Sequence, residues 1–190
     1  MKKIAIFGSG SGSNAENIFW FFSKSLDIRV VLFVTNNNES LFVKRAKKIN
    51  VPVCVINKKE LENYVSLHKV LMSNDIDFIV LAGFLLKIPV KMVSFWDKKI
   101  INIHPSLLPK YGGKGMYGKH VHESVIKNKE TESGITIHLV NEKYDDGAIL
   151  FQKSCPVSSN EDLASLTQKV RALEHKYFPL IIKKHLSNDY

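Results

Sequence analysis

Along the first hundred residues, short apolar runs alternate with stretches of helical period. The runs at 2–9 (KKIAIFGS), 28–35 (IRVVLFVT), 53–56 (VCVI), 77–84 (DFIVLAGF) and 99–104 (KIINIH) read as strands. The run at 77–84 is apolar almost without a break, the mark of a strand buried on both faces. Between the runs, Asn14 to about Ser25 carries an apolar face at Ile18, Phe19 and Phe22. Ser40 is placed to cap a helix holding Leu41, Phe42, Val43 and Ala46, and Pro89 opens a further short segment. Asn57 followed by Glu60 has capping-box spacing and predicts a helix to about Met72. Repetition of strand and helix implies an α/β fold, a mostly parallel sheet with helices on both faces.

The second half changes pattern. A short helix is expected from His120 to about Lys127. The strands SGITIHLV and GAILFQKSCPV are separated only by NEKYDD, which predicts a hairpin-like pairing and one antiparallel strand. Asn160 is placed to cap a long helix through about Leu186, which Pro179 should kink or interrupt. A chain of 190 residues is expected to form a single domain.

Composition narrows the function classes. There is no apolar run of about 18 residues, so no membrane span is expected. The apolar part of the N-terminus, Ile4–Phe7, is too short for a signal peptide, so the expected location is cytoplasmic. Cys54 and Cys155 have no metal-ligand spacing and read as buried thiols. The net charge of +9 comes from scattered lysines, without a basic arm or a nucleic-acid motif. It fits a solvated surface that attracts anionic small substrates, with no nucleic-acid partner.

Three stretches carry candidate chemistry. In INIHPSLLPKYGG, Asn102 and His104 are two apart and so share one face of a strand, and Pro105 keeps His104 out of helical geometry. In GSGSGSN, glycines lead directly from a strand into a helix, whose start offers free N–H groups and a partial positive charge. The glycines lack the dinucleotide spacing, and FVTNNN stands where a ribose-binding acid would end the second strand. A single phosphate on Gly12, Ser13 and Asn14 and a plain tight turn capped by Ser13 or Asn14 are both open readings. In NEKYDDGAI, Asp145 and Asp146 precede Gly147, which alone reads as an ordinary turn. Set beside Asn102 and His104, a carboxylate completes a set suited to acyl-type transfer, in which imidazolium and amide stabilise an oxyanion and the carboxylate keeps the histidine charged.

GSN after the first strand, LAGF at Leu81–Phe84, NIHPSLLPKYGG, DDGAILFQ and ALEHKYFP occur in this order. Together they resemble the phosphoribosylglycinamide formyltransferases, folate-dependent enzymes of purine synthesis within the formyltransferase family. The resemblance covers essentially the whole chain. It implies a Rossmann-like sheet of about seven strands, with a phosphate-binding half at 1–100 and a catalytic, folate-binding half at 101–190. It implies that Asn102, His104 and Asp145 are catalytic, Asp145 matching better than Asp146. Gly12, Ser13, Asn14 and Glu174 then bind the substrate phosphoribosylglycinamide. Leu85, Leu86, Lys87 and Ile88, with Asn102 and Asn141, Glu142, Lys143, Tyr144 and Asp145, line the folate pocket, and Lys59 is a further folate contact. The segment from Lys114 to Lys119 is expected to form a lid.

The implied reaction moves a formyl group from 10-formyltetrahydrofolate to the glycine amine of the substrate, without a metal, in a monomer or homodimer with small-molecule partners. Two other readings stand beside it. A methionyl-tRNA formyltransferase would carry an additional nucleic-acid-binding domain, for which no room is expected after the last helix. A non-catalytic phosphate- or nucleotide-binding module would explain the glycine loop but not Asn102, His104 and Asp145.

Overall fold

The computed structural model of the protein describes residues 1–187. Its strands are β1 (Lys2–Phe7), β2 (Ile28–Thr35), β3 (Val53–Val55), β4 (Phe78–Leu81), β5 (Ile100–His104), β6 (Glu132–Leu139) and β7 (Ile149–Pro156). The helices are α1 (Ser13–Phe22), α2 (Leu41–Lys48), α3 (Lys58–Asn63), α4 (Val65–Ser73), α5 (Val90–Phe95), α6 (Lys119–Lys127) and α7 (Leu163–Ser187). The strands form one sheet in the order β3-β2-β1-β4-β5-β6-β7. β1 runs parallel to β2 and β4, and β2 to β3, whereas β6 and β7 are antiparallel. The expected mixed, mostly parallel seven-stranded sheet is present. The chain separates into two compact units, Met1–Ile101 and a second beginning at Asn102.

In the first unit the strand order reverses between β1 and β4, the kind of switch point where open α/β sheets bind ligands. The turns after these two strands are tied together: Ala82 donates its N–H to the Phe7 carbonyl at 2.8 Å and Ser9 to that of Gly83 at 3.0 Å. All four residues of β4 are buried, as its unbroken apolar run requires. The glycine loop lies against α2. Phe42 is fully buried, and its N–H donates to the Gly10 carbonyl at 3.0 Å. Gly12 has φ +73, and a Cβ there would stand 2.7 Å from Phe42 Cα, so both conformation and space demand glycine.

Five local expectations need correction. Cys54 and Cys155 are half-buried rather than buried. The segment after Asn57 is two helices, not one. The Asn57–Glu60 capping box forms, but Tyr64 turns left-handed at φ 67 and closes α3 with its N–H on the Glu60 carbonyl. The turn is held from outside the segment, because the Tyr64 hydroxyl accepts the buried Trp96 Nε1–H at 2.5 Å. Ser40 does precede α2, but its hydroxyl donates to the Asn37 carbonyl at 2.7 Å and makes no cap bond. The start of α7 is served by Asp162 rather than Asn160, its carboxylate accepting the Ser165 N–H at 2.8 Å. Finally, α7 runs through Pro179 without interruption. Proline removes a single N–H, and buried Phe178, Pro179, Ile182 and Leu186 hold the helix on its packed face.

Because Phe42 fills the space beneath the loop, Phe42→Ala is expected to cost about 3–5 kcal/mol of unfolding free energy in urea titration. A cost below about 1 kcal/mol, the level of a surface change, would contradict this packing.

Candidate active site

The side chains of interest in the second unit converge on the end of β5 and the two loops that follow β5 and β6. Extended backbone puts Asn102 and His104 on one face, as their spacing requires. His104 is buried, and its Nε2 lies 2.7 Å from the Tyr111 carbonyl. A carbonyl only accepts, so Nε2 carries a hydrogen and Nδ1 is the nitrogen whose protonation can change. Nδ1 faces Asp145 Oδ2 at 3.5 Å.

Asp145 is the meeting point of the group. Oδ2 also accepts the Gly113 N–H at 2.9 Å. Oδ1 takes a longer bond of 3.4 Å from the Asn102 amide. The same amide nitrogen donates to His138 Nε2 at 3.1 Å. His138 Nδ1 lies 2.8 Å from the Leu139 carbonyl, which fixes the tautomer and leaves Nε2 as an acceptor. Asp146 is exposed and turns instead to Asn141, at 3.2 Å, and to Lys143, at 3.6 Å. Asp145 is held in the left-handed region at φ 50, and Gly147 closes its loop where a Cβ would stand 1.7 Å from the Leu139 carbonyl oxygen. No side chain fits at that position.

The loop that offers the Tyr111 carbonyl is braced by polar contacts, those of Thr136 with Ser106 and Leu108 buried. Thr136 Oγ1 donates to the Ser106 carbonyl at 2.7 Å and accepts the Leu108 N–H at 2.9 Å. Gln152 Nε2 reaches both Thr136 Oγ1 and the Leu108 carbonyl at 2.9 Å. Glu130 accepts the Tyr111 hydroxyl at 2.9 Å and pairs with Lys110 at 3.0 Å.

Electrostatics set the protonation states. Burial would raise the Asp145 carboxyl, but the His138 and His104 imidazoles and the Gly113 N–H outweigh it and hold the group below its ordinary value, ionised. His104 goes the other way from the sequence expectation. Burial lowers its proton affinity, and Asp145 and the Tyr111 carbonyl recover only part of that loss. Asp145 therefore does favour the imidazolium, while the resting histidine is neutral near neutral pH. His122 on α6 is likewise buried, lowered by its burial and then by the charges of His104 and Arg171.

The remaining expected residues fall at several places. Ser13 and Asn14 open α1 directly after Gly12. Glu16 donates its N–H to the Gly12 carbonyl at 3.0 Å, which closes the first turn of α1. Of the segment 85–88, Leu85 is exposed, Leu86 half-buried, Lys87 exposed and Ile88 buried. The Leu85 N–H is taken by Ser9 Oγ at 2.9 Å, so it is not an open donor for a ligand. Glu174 is half-buried on α7, and Lys59 is exposed on α3. Asn141 is half-buried, and Glu142, Lys143 and Tyr144 are exposed. Among the described residues, no three His, Cys, Asp or Glu side chains are grouped to hold a metal. No described helix is long and apolar enough to cross a membrane. Sequence reading missed His138, whose signal was a lone histidine at an otherwise apolar, alternating strand position. It also missed the Tyr111 and Gly113 backbone groups, which no residue type announces.

Two pH effects follow from these shifts. A histidine whose folded proton affinity is depressed leaves stability unchanged above its unfolded value, about 6.5, and costs stability as the pH falls below it. In Asp145→Asn, loss of the carboxylate is expected to lower the His104 titration further, read by heteronuclear NMR of the imidazole. An unchanged or raised titration point would contradict the pairing.

The chain is similar to known proteins along nearly its whole length. A family profile described as "Formyl transferase" matches residues 2–182. The chain is 41% identical over 187 residues to a chloroplastic phosphoribosylglycinamide formyltransferase of Arabidopsis thaliana, spanning 95% of this chain but 64% of that protein's length. It is 33% identical over 188 residues to the phosphoribosylglycinamide formyltransferase of Haemophilus influenzae, spanning 96% of this chain and 86% of the relative. The crystal structure of the Bacillus halodurans phosphoribosylglycinamide formyltransferase superposes with a TM-score of 0.89 at 34% identity, covering 100% of this chain and 97% of the other. A match over nearly all of the chain, carried on a fold that brings Asn102, His104 and Asp145 together, leads to one conclusion: the chain belongs to the formyl transferase family, on its phosphoribosylglycinamide formyltransferase branch.

Proposed function

We propose that this chain transfers the formyl group of 10-formyltetrahydrofolate to the glycine amine of 5'-phosphoribosylglycinamide, a step of purine synthesis. The observation that carries the reading is the buried contact of His104 with an ionised Asp145, beside the amide of Asn102. Gly12, Ser13 and Asn14 take the substrate phosphate and Glu174 its glycinamide end. Leu85–Ile88 and Asn141–Asp145 take the folate, with Lys59 as an outlying charge.

The amine nitrogen attacks the formyl carbon, a C–N bond forms, and the carbonyl oxygen becomes an oxyanion. Asn102 can meet that oxygen with the hydrogen it otherwise gives to Asp145 over 3.4 Å, while its firmer bond to His138 keeps the amide in place. The oxyanion adds negative charge near a histidine that burial has kept neutral, which raises its proton affinity. His104 then accepts the proton released by the amine. The proton reaches Nδ1, because Nε2–H is already committed to Tyr111. Asp145 stabilises the imidazolium, which returns the proton to the folate nitrogen as the C–N bond to the donor breaks. A neutral resting histidine suits this role better than a standing imidazolium, because it has room to take the proton.

The glycines at 113, 115 and 118 all have positive φ, which gives the segment from Lys114 to Lys119 the conformational latitude of a lid closing on bound substrates.

The purified protein is expected to form formylated product from the two substrates in a steady-state assay, with His104→Ala slower by about 100-fold or more in kcat. Absence of turnover, or turnover only with methionyl-tRNA as acceptor, would contradict the proposal.

A further inference from the structure

We infer that Arg45 is a positioning residue for phosphate recognition: from α2 it pins the glycine loop and neutralises Glu16, so that the start of α1 can receive a dianion. The inference rests on the assignment of the substrate phosphate to Gly12–Asn14.

Arg45 makes two directed contacts. Its Nε donates to the Ser11 carbonyl at 3.0 Å, and its terminal NH1 donates to the Glu16 carboxylate. The planar fork of a guanidinium presents both donors in one fixed geometry, which the point charge of an ammonium on a flexible stem does not. Both side chains are partly screened from water, with exposures of 36% for Arg45 and 20% for Glu16.

These contacts resolve a conflict built into α1. Glu16 lies in the first turn, where a carboxylate interacts favourably with the positive end of the helix. An anionic ligand needs that same positive end, and an unpaired Glu16 would repel it. Pairing with Arg45 removes the repulsion without removing the acid. The second contact keeps the path of the loop: Ser11 is the residue before Gly12, and α2 already grips the loop through the Phe42 N–H on Gly10. Arg45 extends this grip by one residue toward the N–H groups of Ser13 and Asn14. Arg45 acts here on the loop and on Glu16, so its effect should fall on substrate affinity and not on the chemical step.

The test compares Michaelis constants for phosphoribosylglycinamide, for the same molecule lacking its phosphate, and for the folate donor. Arg45→Gln is expected to raise the constant for the phosphorylated substrate by about fivefold or more. The dephosphorylated substrate, the folate and kcat should change by less than about twofold, the size of an indirect effect. Arg45→Gln combined with Glu16→Gln should recover more than half of the loss on a logarithmic scale, because the unpaired acid is gone. Arg45→Lys, which keeps the charge and loses the bond to Ser11, should show a smaller but equally selective rise, and it serves if Arg45→Gln does not fold. An equal rise for phosphorylated and dephosphorylated substrate, no rise at all, or a double variant no better than Arg45→Gln would overturn the inference. Ser13→Asp separates the two levels. If it also fails to discriminate against the phosphorylated substrate, the phosphate assignment is wrong. If it discriminates and Arg45→Gln does not, only the role of Arg45 is wrong.

Discussion

One carboxylate organises the catalytic unit. Asp145 is largely withdrawn from water, and an ionised acid there is costly unless its oxygens are met. They are met by the Gly113 N–H and the Asn102 amide, and Oδ2 faces His104 Nδ1, which it can hold once that nitrogen is protonated. Asn102 and His104 lie on β5 and Gly113 on the loop after it, so satisfying one charge fixes the end of β5, that loop and the loop before β7 relative to one another. Removing the charge would release all three constraints, whereas removing a single donor would leave the others in place. Fixed groups of this kind can stabilise developing charge without having to reorganise.

The arrangement also explains why a buried histidine can be useful while neutral. Burial opposes the imidazolium, and Asp145 with the Tyr111 carbonyl opposes burial. Burial wins, so the resting His104 is free to take a proton when a third charge arrives. An exposed histidine would feel that charge weakly through water. One paired more tightly with Asp145 would already hold its proton and could not accept another. The backbone features that support the site, the left-handed Asp145 and a glycine at 147 with no space for a Cβ, are local costs accepted to aim one side chain.

How far the sequence reveals this depends on the range of each interaction. Asn102 and His104 are legible because strand alternation is local, and the parallel sheet is legible because apolar runs and helical periods repeat. The choice of Asp145 over Asp146 came through resemblance; the structure sends the two side chains to different neighbours. His138, the Tyr111 carbonyl and the Gly113 N–H were not legible, since their roles depend on where loops of irregular backbone pass. The break at Tyr64 escaped notice for a similar reason: Trp96, 32 residues further on, supplies the bond that holds it. Arg45 was not legible either, because its partners Ser11 and Glu16 lie outside α2.

The central claim is that His104 and Asp145 form one working unit. The most direct measurement is a double-mutant cycle on kcat under saturating substrates, using His104→Ala, Asp145→Asn and the two combined, with circular dichroism to verify folding. The account predicts that the double variant is little slower than the worse single variant, since each change disables the same imidazolium. Rate losses that multiply, so that the logarithms of the two single effects add in the double variant, would show that the residues act independently and would contradict it.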